Sequence, residues 1–480
     1  MSNSVYFKNY LVKDVFLFTI LTFINLLTHE TLYGSLISIP QFIFILFLIF
    51  TNRTEKAFKY HIIFTLTCLA IPFSQIIEPG AKEYGLYNYS KFKLFGPVGV
   101  FHIISILFFI FTFKKKLNFS GLNLFGLLYK VLLILAVIGI IFGIIGLLFF
   151  DYYFQHFITY SVYMFVIITH LIVLAKYNSP KFLNRIFQII IALLISAPFA
   201  SFILNLLGIT TYYGNNKVSV LTEVAYYSVF LIFTIYQFKN FLLPLISLFI
   251  ILYLSLDGGS GGKGIIIIVL SFLFFFLNTF SKSFFSFDII RKSFIKIMLL
   301  PIFFLIISNL YNSLSSNKLL IHKIDSVFLL FNFFGGIDSL DLIPPSPRVR
   351  LGSFFNILYG QLKNPIILFF GQGYGAYFYD YFKVFDGIDL SFAFRYEETI
   401  SGRYGRPHDT IAAVPLSNGL FGLSLLVYLI FKYLSKIKYN FLAIAVLPWL
   451  LLTFYYNSQF ALVGLVMLYA SEKKITLNSR

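Results

Sequence analysis

A chain of 480 residues that is 59% hydrophobic, with a mean hydropathy of +0.86, is built for the bilayer and is not a water-soluble globular domain. Its net charge of +18 invites a nucleic-acid reading, but the basic residues lie mostly between apolar runs, so the charge is a topology signal and that class is excluded. The one cysteine, Cys68, sits inside an apolar run, which excludes a disulfide or cysteine-ligated metal framework within one chain.

Apolar runs of about 20 residues are the length of a spanning helix, and they predict an all-α polytopic protein with about 14 transmembrane helices. In chain order the spans fall near residues 14–28, 32–50, 58–77, 94–113, 131–150, 157–175, 186–207, 219–238, 240–256, 263–281, 296–310, 410–431, 441–454 and 457–471. The first lacks a small-residue cleavage site and reads as a retained anchor. The last two share one apolar stretch broken by Tyr455, Tyr456, Asn457 and Ser458, and are either two spans or a re-entrant hairpin. The chain thus divides into residues 1–310 with eleven spans, a loop over 311–409, and residues 410–480 with three spans and a tail. His61, His102 and His170 lie within spans but form no regular relay.

With both termini inside, one side of this ladder collects 23 of the 37 basic residues, including Lys114, Lys115, Lys116, Lys432, Lys436 and Lys438. Short loops on the other side hold five and the long loop nine. Basic residues accumulate in cytoplasmic loops, so the termini are expected in the cytoplasm and the long loop outside it, in a bacterial periplasm or at the equivalent face.

Before the long loop, Asp257-Gly258-Gly259-Ser260-Gly261-Gly262-Lys263-Gly264 superficially resembles a phosphate loop, but Asp257 and Gly264 break the Walker pattern and the turn lies on the outer face. It is either a tight turn with a snorkelling lysine or a glycine nest through which Lys263 reaches an anion. The loop itself is too long for a connector, and long loops carry function. It nearly balances its charges, so local clusters matter more than bulk.

Within it, Ser346 and Pro347 suit a helix start, and Leu351, Phe354 or Phe355, Leu358 and Leu362 recur at helical spacing until Asn364-Pro365. This predicts an amphipathic helix on the membrane or against the spans, with Arg348 and Arg350 in its first turn. The macrodipole disfavours cations there, and an anion would reverse that cost. Two guanidiniums beside free amides therefore suit a phosphate or diphosphate, while lipid phosphates or carboxylates such as Asp338 and Asp341 are the alternative partners.

Gly371-Gln372-Gly373-Tyr374-Gly375 has its third glycine one residue too early for a dinucleotide fingerprint and is expected to make a tight backbone turn. Tyr374, Tyr377, Tyr379, Tyr381 and Tyr396 stack on sugars or form an interfacial aromatic belt. Asp386, Asp389, Glu397 and Glu398 are cation ligands or partners for arginines, Arg395 among them. Finally Arg403, Arg406 and His408 run into the next span, capped by Asp409 or Thr410. His408, held at the membrane surface between cations, suits a general base for a sugar hydroxyl, or else a structural interfacial role.

The order Arg350-x-x-Ser353, Pro365, Gly371-x-Gly373-x-Gly375, His408 and Gly419-x-x-Gly422, preceded by the Ser260 to Lys263 turn, resembles the bacterial O-antigen polymerases (Wzy) and the related O-antigen ligases. The likeness covers about 165 residues by motif and the remainder by hydropathy. Asp409 stands where that family often has Asn or Ser. Lys263 stands where Arg is expected, giving a point charge in place of a bidentate fork. The resemblance implies a glycosyltransferase C-like enzyme of the inner membrane, in lipopolysaccharide or other polysaccharide biosynthesis, independent of metal, nucleotide or other cofactor. Its substrate would be an undecaprenyl-diphosphate-linked oligosaccharide, with Arg348, Arg350, Arg403, Arg406 and Lys263 towards the diphosphate, His408 as base, and a chain-length regulator protein as a possible partner. Three functions are carried forward: a polymerase of lipid-linked repeat units, a ligase delivering glycan to a lipid A core, and a polysaccharide flippase, which would show inverted repeats and broken helices.

Overall fold

The computed structural model describes residues 2–28, 32–68, 89, 92–95, 98–113, 123–177, 179–213, 216–219, 224, 242–257, 345–390, 393–405, 407, 409–437 and 458–472. The expected spans at 263–281, 296–310 and 441–454, and nearly all of 219–238, lie outside them.

In chain order the first elements are α1 (Ser2–Thr28), α2 (Leu32–Phe50), α3 (Thr54–Thr67), strands β1 (Lys93–Phe95) and β2 (Val98–Gly99), α4 (Val100–Phe113), α5 (Asn123–Phe149), α6 (Phe154–Lys176) and α7 (Pro180–Leu206). They are followed by β3 (Thr210–Tyr213), β4 (Asn216–Ser219), α8 (Leu242–Asp257), α9 (Pro345–Gln361), α10 (Pro365–Phe370), α11 (Tyr396–Ser401), α12 (Thr410–Ile437) and α13 (Ser458–Glu472). The protein is a mostly helical membrane protein: α1, α2, α5, α6, α7 and α12 are long and apolar enough to cross a bilayer.

Helices extend past the apolar runs that signalled them, because a helix continues into the interface while its propensity holds. α5 begins at Asn123 where the apolar run starts near 131, and α7 begins at Pro180, set by Ser179, whose hydroxyl accepts from Phe182 N at 3.2 Å. The span expected at 94–113 is shorter than read. Its first residues form the β1–β2 ladder, and Gly99 N donates to His102 Nδ1 at 2.9 Å, so α4 starts only at Val100. A second antiparallel ladder pairs Thr210 with Ser219 and Tyr213 with Asn216, on β-branched and aromatic residues.

α7 is apolar all round and lies at the centre, with Ile186, Phe187, Ile190, Ile191, Leu194 and Ile195 fully enclosed. α1, α3, α8 and α13 pack on it, while α5 joins α6 to α12.

The basic helix ends converge at one end of this bundle. Arg185 grips Asp14 bidentately, joining the start of α7 to the middle of α1. Lys59 of α3 lies 5.1 Å from the Phe182 ring, Lys176 donates to Phe111 O at 3.2 Å, and Phe50 meets Phe111 at 5.7 Å. Residues 345–409 are attached at the opposite end, over the α5–α6 turn.

Candidate functional site

α9 turns a different face inward from the one its apolar spacing predicts. Val349, Gly352, Ser353, Asn356, Ile357 and Gln361 are buried, whereas Leu351, Phe354, Phe355 and Leu358 are half-buried and Leu362 is exposed. The inward groups have backbone to satisfy, which explains the inversion. Asn356 Oδ1 accepts from Tyr381 N at 2.7 Å and Phe382 N at 3.2 Å, and its Nδ2 donates to Asp380 Oδ1 at 2.7 Å. Asp380 in turn accepts from Val384 N and Phe385 N. Around these anchors Phe378, Phe385, Phe394 and Tyr404 form a small aromatic core of their own.

Asn364 caps α10, its Oδ1 accepting from Ile366 N at 3.0 Å and Ile367 N at 3.3 Å, with Pro365 at the first helical position. α10 runs down alongside α12: Phe370 stacks on Phe142 at 5.9 Å, and Phe369 meets Phe421 at 5.6 Å. Phe421 lies eleven residues into α12, past its non-helical residue Gly419. Residues 367–375 therefore lie against the middle of α12 and α5; the sequence suggested a re-entrant hairpin only for the pair of expected spans 441–454 and 457–471, the first of which lies outside the described residues.

The glycine run returns the chain from there. Gly371, Gly373 and Gly375 have φ of 80°, 89° and 86°, and a Cβ on Gly373 would strike the α5 backbone at Phe142 and Gly143. The expected turn is thus a backbone crossing squeezed between α5 and α12. There α12 is broken: Gly419 has φ 61°, and the carbonyls of Pro415, Leu416 and Ser417 accept from Gln361 Nε2 (2.8 Å), Gln372 N (2.8 Å) and Gly373 N (3.0 Å). Asn418 Nδ2 donates to Leu135 O at 2.8 Å. Unwound backbone at membrane depth must be satisfied by protein, and here the loop supplies the donors.

Of the six residues read as a site, Arg348, Arg350 and Arg403 are described, while Lys263, Arg406 and His408 lie outside the described residues. α9 starts at Pro345, two residues before Pro347, so Arg348 closes the first turn and Arg350 lies beyond it. The macrodipole argument for a paired guanidinium anion site therefore weakens, since that field fades within a turn. Arg348 Nε donates to Val384 O at 2.6 Å and Nη2 to Asp386 O at 3.5 Å. Arg350 Nη1 meets Asp409 Oδ1 at 3.1 Å, with both partly buried. Arg403 Nη1 meets Asp151 Oδ2 at 3.0 Å and lies 5.0 Å from the Tyr377 ring. The structure thus joins Arg350 to the start of α12, where the Asp409 carbonyl takes the Ala412 and Ala413 amides, and sends Arg348 and Arg403 to other partners.

Arg395 pairs with neither neighbouring carboxylate through its side chain, which bonds to Gln155. Glu398 instead goes inward and, at 2% exposure, accepts from His156 Nε2 (3.1 Å), Arg395 N (2.9 Å) and Gly405 N (2.6 Å). This His156–Glu398 pair, 242 residues apart, was invisible to spacing; only the Glu at the third position of α11 had a local signal. Among the described residues no group of three or more His, Cys, Asp or Glu converges as metal ligands.

The tyrosines separate. Tyr374 is neither belt nor sugar platform: it is fully enclosed, stacked on Tyr160 at 5.9 Å and lying over Gly139. Tyr396 is 79% exposed on α11. Tyr377, Tyr379 and Tyr381 share one row.

Fold and site together define a mostly helical membrane protein carrying, on the end of its bundle away from the basic helix ends, a separately cored segment that dips back between two of its helices. No known protein family, characterised protein or solved structure matches the chain.

Proposed function

We propose that this protein is a membrane glycosyltransferase that polymerises lipid-linked oligosaccharide repeat units at the periplasmic face. The acceptor hydroxyl attacks the anomeric carbon of the growing glycan, its proton passes to His408, and the bond to undecaprenyl diphosphate breaks with the electron pair leaving on the diphosphate. Arg350, with Arg348, Arg403, Arg406 and Lys263, offers positive charge to that leaving group.

The observation that carries this reading is the Arg350–Asp409 pair. It ties the arginine-bearing helix to Asp409 at the start of α12, the residue that follows the proposed base in the chain. Arg350 spends one of its five N–H donors on Asp409, and a diphosphate would take others. The broken α12 is a feature of transporters as well. Here, however, its exposed carbonyls are occupied by Gln361, Gln372 and Gly373, which favours a supporting role for the break over a substrate site.

The test is deletion of the gene and inspection of surface glycan on a gel. A polymerase defect leaves core plus one repeat, and a ligase defect leaves bare core with long glycan on the carrier. His408→Ala and Arg350→Ala are expected to abolish the ladder at normal protein levels; an unchanged ladder in His408→Ala removes it as the base.

A further inference from the structure

We infer that the tyrosine row on residues 377–381 is an oligosaccharide track leading away from Arg403, an inference that rests on the glycosyltransferase reading above. The backbone at Phe378 pairs with Tyr404, and the side chains on either side of it alternate. Phe378 turns into the small aromatic core and Asp380 towards Asn356, while Tyr377, Tyr379 and Tyr381 face outward. Successive ring centroids run from Tyr152 to Tyr377 (5.8 Å), Tyr379 (5.5 Å), Tyr381 (6.0 Å) and Tyr359 of α9 (5.4 Å). Tyr359, Tyr379 and Tyr381 are 44%, 40% and 38% exposed. The row is bracketed by cations, Arg403 at 5.0 Å from Tyr377 and Lys363 at 5.1 Å from Tyr381.

Its chemistry fits a sugar chain better than lipid. Each step offers an apolar ring and a hydroxyl, matching the apolar faces and hydroxyls of a pyranose, whereas an acyl chain has no use for the polar half. Burial, followed by the neighbouring phenols, raises the pKa of Tyr377 and Tyr381, so both hydroxyls remain donors at neutral pH. The row also crosses from the α5–α6 turn to α9, covering Gly360, where an aromatic belt would follow the outer surface of the spans. The ring-to-ring steps of 5.5 Å and 6.0 Å from Tyr377 through Tyr379 to Tyr381 set three aromatic contacts in sequence for consecutive sugars. With the diphosphate end at Arg403, the non-reducing sugars would point towards Lys363.

The probe is the oligosaccharide released by mild acid from the host cell's own lipid-linked repeat units, titrated against the full-length protein in nanodiscs. The Tyr379→Ala/Tyr381→Ala protein is expected to bind about tenfold more weakly, as for loss of two aromatic anchors, and Tyr379→Phe/Tyr381→Phe to retain most of the affinity. In cells the alanine variant should make shorter chains while still forming the first linkage. Tyr379→Ala alone, at a ring that meets Tyr377 and Tyr381 of the row, serves if the double variant melts early. Equal binding by the alanine variants, or no binding by the unsubstituted protein, overturns the track and leaves the polymerase to the gel test. Conversely, a normal ladder in His408→Ala with intact tyrosine-dependent binding sinks the catalytic reading and spares the track. Unchanged binding with loss of stable membrane insertion assigns the row to the interface and overturns the proposal.

Discussion

Glu398 shows how much a single buried group can organise. A carboxylate enclosed without partners costs several kcal/mol, and this one is met by His156 and two backbone amides that pin α11 to α6 and hold Gly405 just before the Arg406–His408 stretch. Burial pushes its pKa up, but the hydrogen bonds from His156, Arg395 N and Gly405 N outweigh that and hold it below the ordinary carboxylate value. A depressed folded pKa means the stabilisation is complete above the unfolded value and is lost as pH falls through the folded one. Amide exchange over residues 395–405 should therefore stay slow at neutral and mildly acidic pH and accelerate only below the ordinary carboxylate range. In Glu398→Gln that acid limb should flatten; an identical acid limb in the variant would show that another group controls the opening. Arg403 and Arg395 were legible as basic residues at the end of the loop, yet their partners Asp151 and Gln155 come from a turn about 250 residues earlier, beyond the reach of any local pattern.

Among the elements, the glycine crossing is the most demanding. Glycine spacing over 371–375 was readable as a tight turn; what the turn passes between was not. Its positive φ values and its contact with Gly143 are separable costs, and Gly387 isolates the first, having φ 73° and nothing within 4 Å of an added Cβ. Gly387→Ala should cost only the left-handed strain of about 1–2 kcal/mol. Gly373→Ala adds a collision with the α5 backbone and should lower the thermal midpoint in detergent several-fold more, or prevent accumulation. Equal losses at the two positions would mean the crossing is loose. α9 carries the opposite lesson: its existence was read from helical spacing, but its buried face was not, because Asn356 and Gln361 have obligatory hydrogen-bond duties inward while its phenylalanines are left half-buried on the other side.

At the scale of the whole molecule, Lys59 of α3, Lys176 of α6 and Arg185 of α7 lie at one end of the bundle and residues 345–409 at the other; the distribution of Lys and Arg assigns the first end to the cytoplasm as an expectation that labelling tests. The native Cys68 is buried, so introduced cysteines can be read without background. Arg53→Cys and Tyr379→Cys should react with a membrane-impermeant maleimide from opposite sides of the membrane, Tyr379→Cys in right-side-out vesicles and Arg53→Cys only in inverted ones. Labelling of both from one side would refute the arrangement. Hydropathy by itself determined that this chain carries helices long and apolar enough to cross a bilayer and roughly where the six described ones lie, because burial in lipid acts on each segment independently. Only the tertiary structure decided that residues 367–375 lie against the middle of α12 and α5, that α12 breaks at Gly419 to receive them, and that Arg350 turns to Asp409. Those arrangements follow from satisfying particular backbone and charged groups across hundreds of residues, and no local run of sequence carries that requirement.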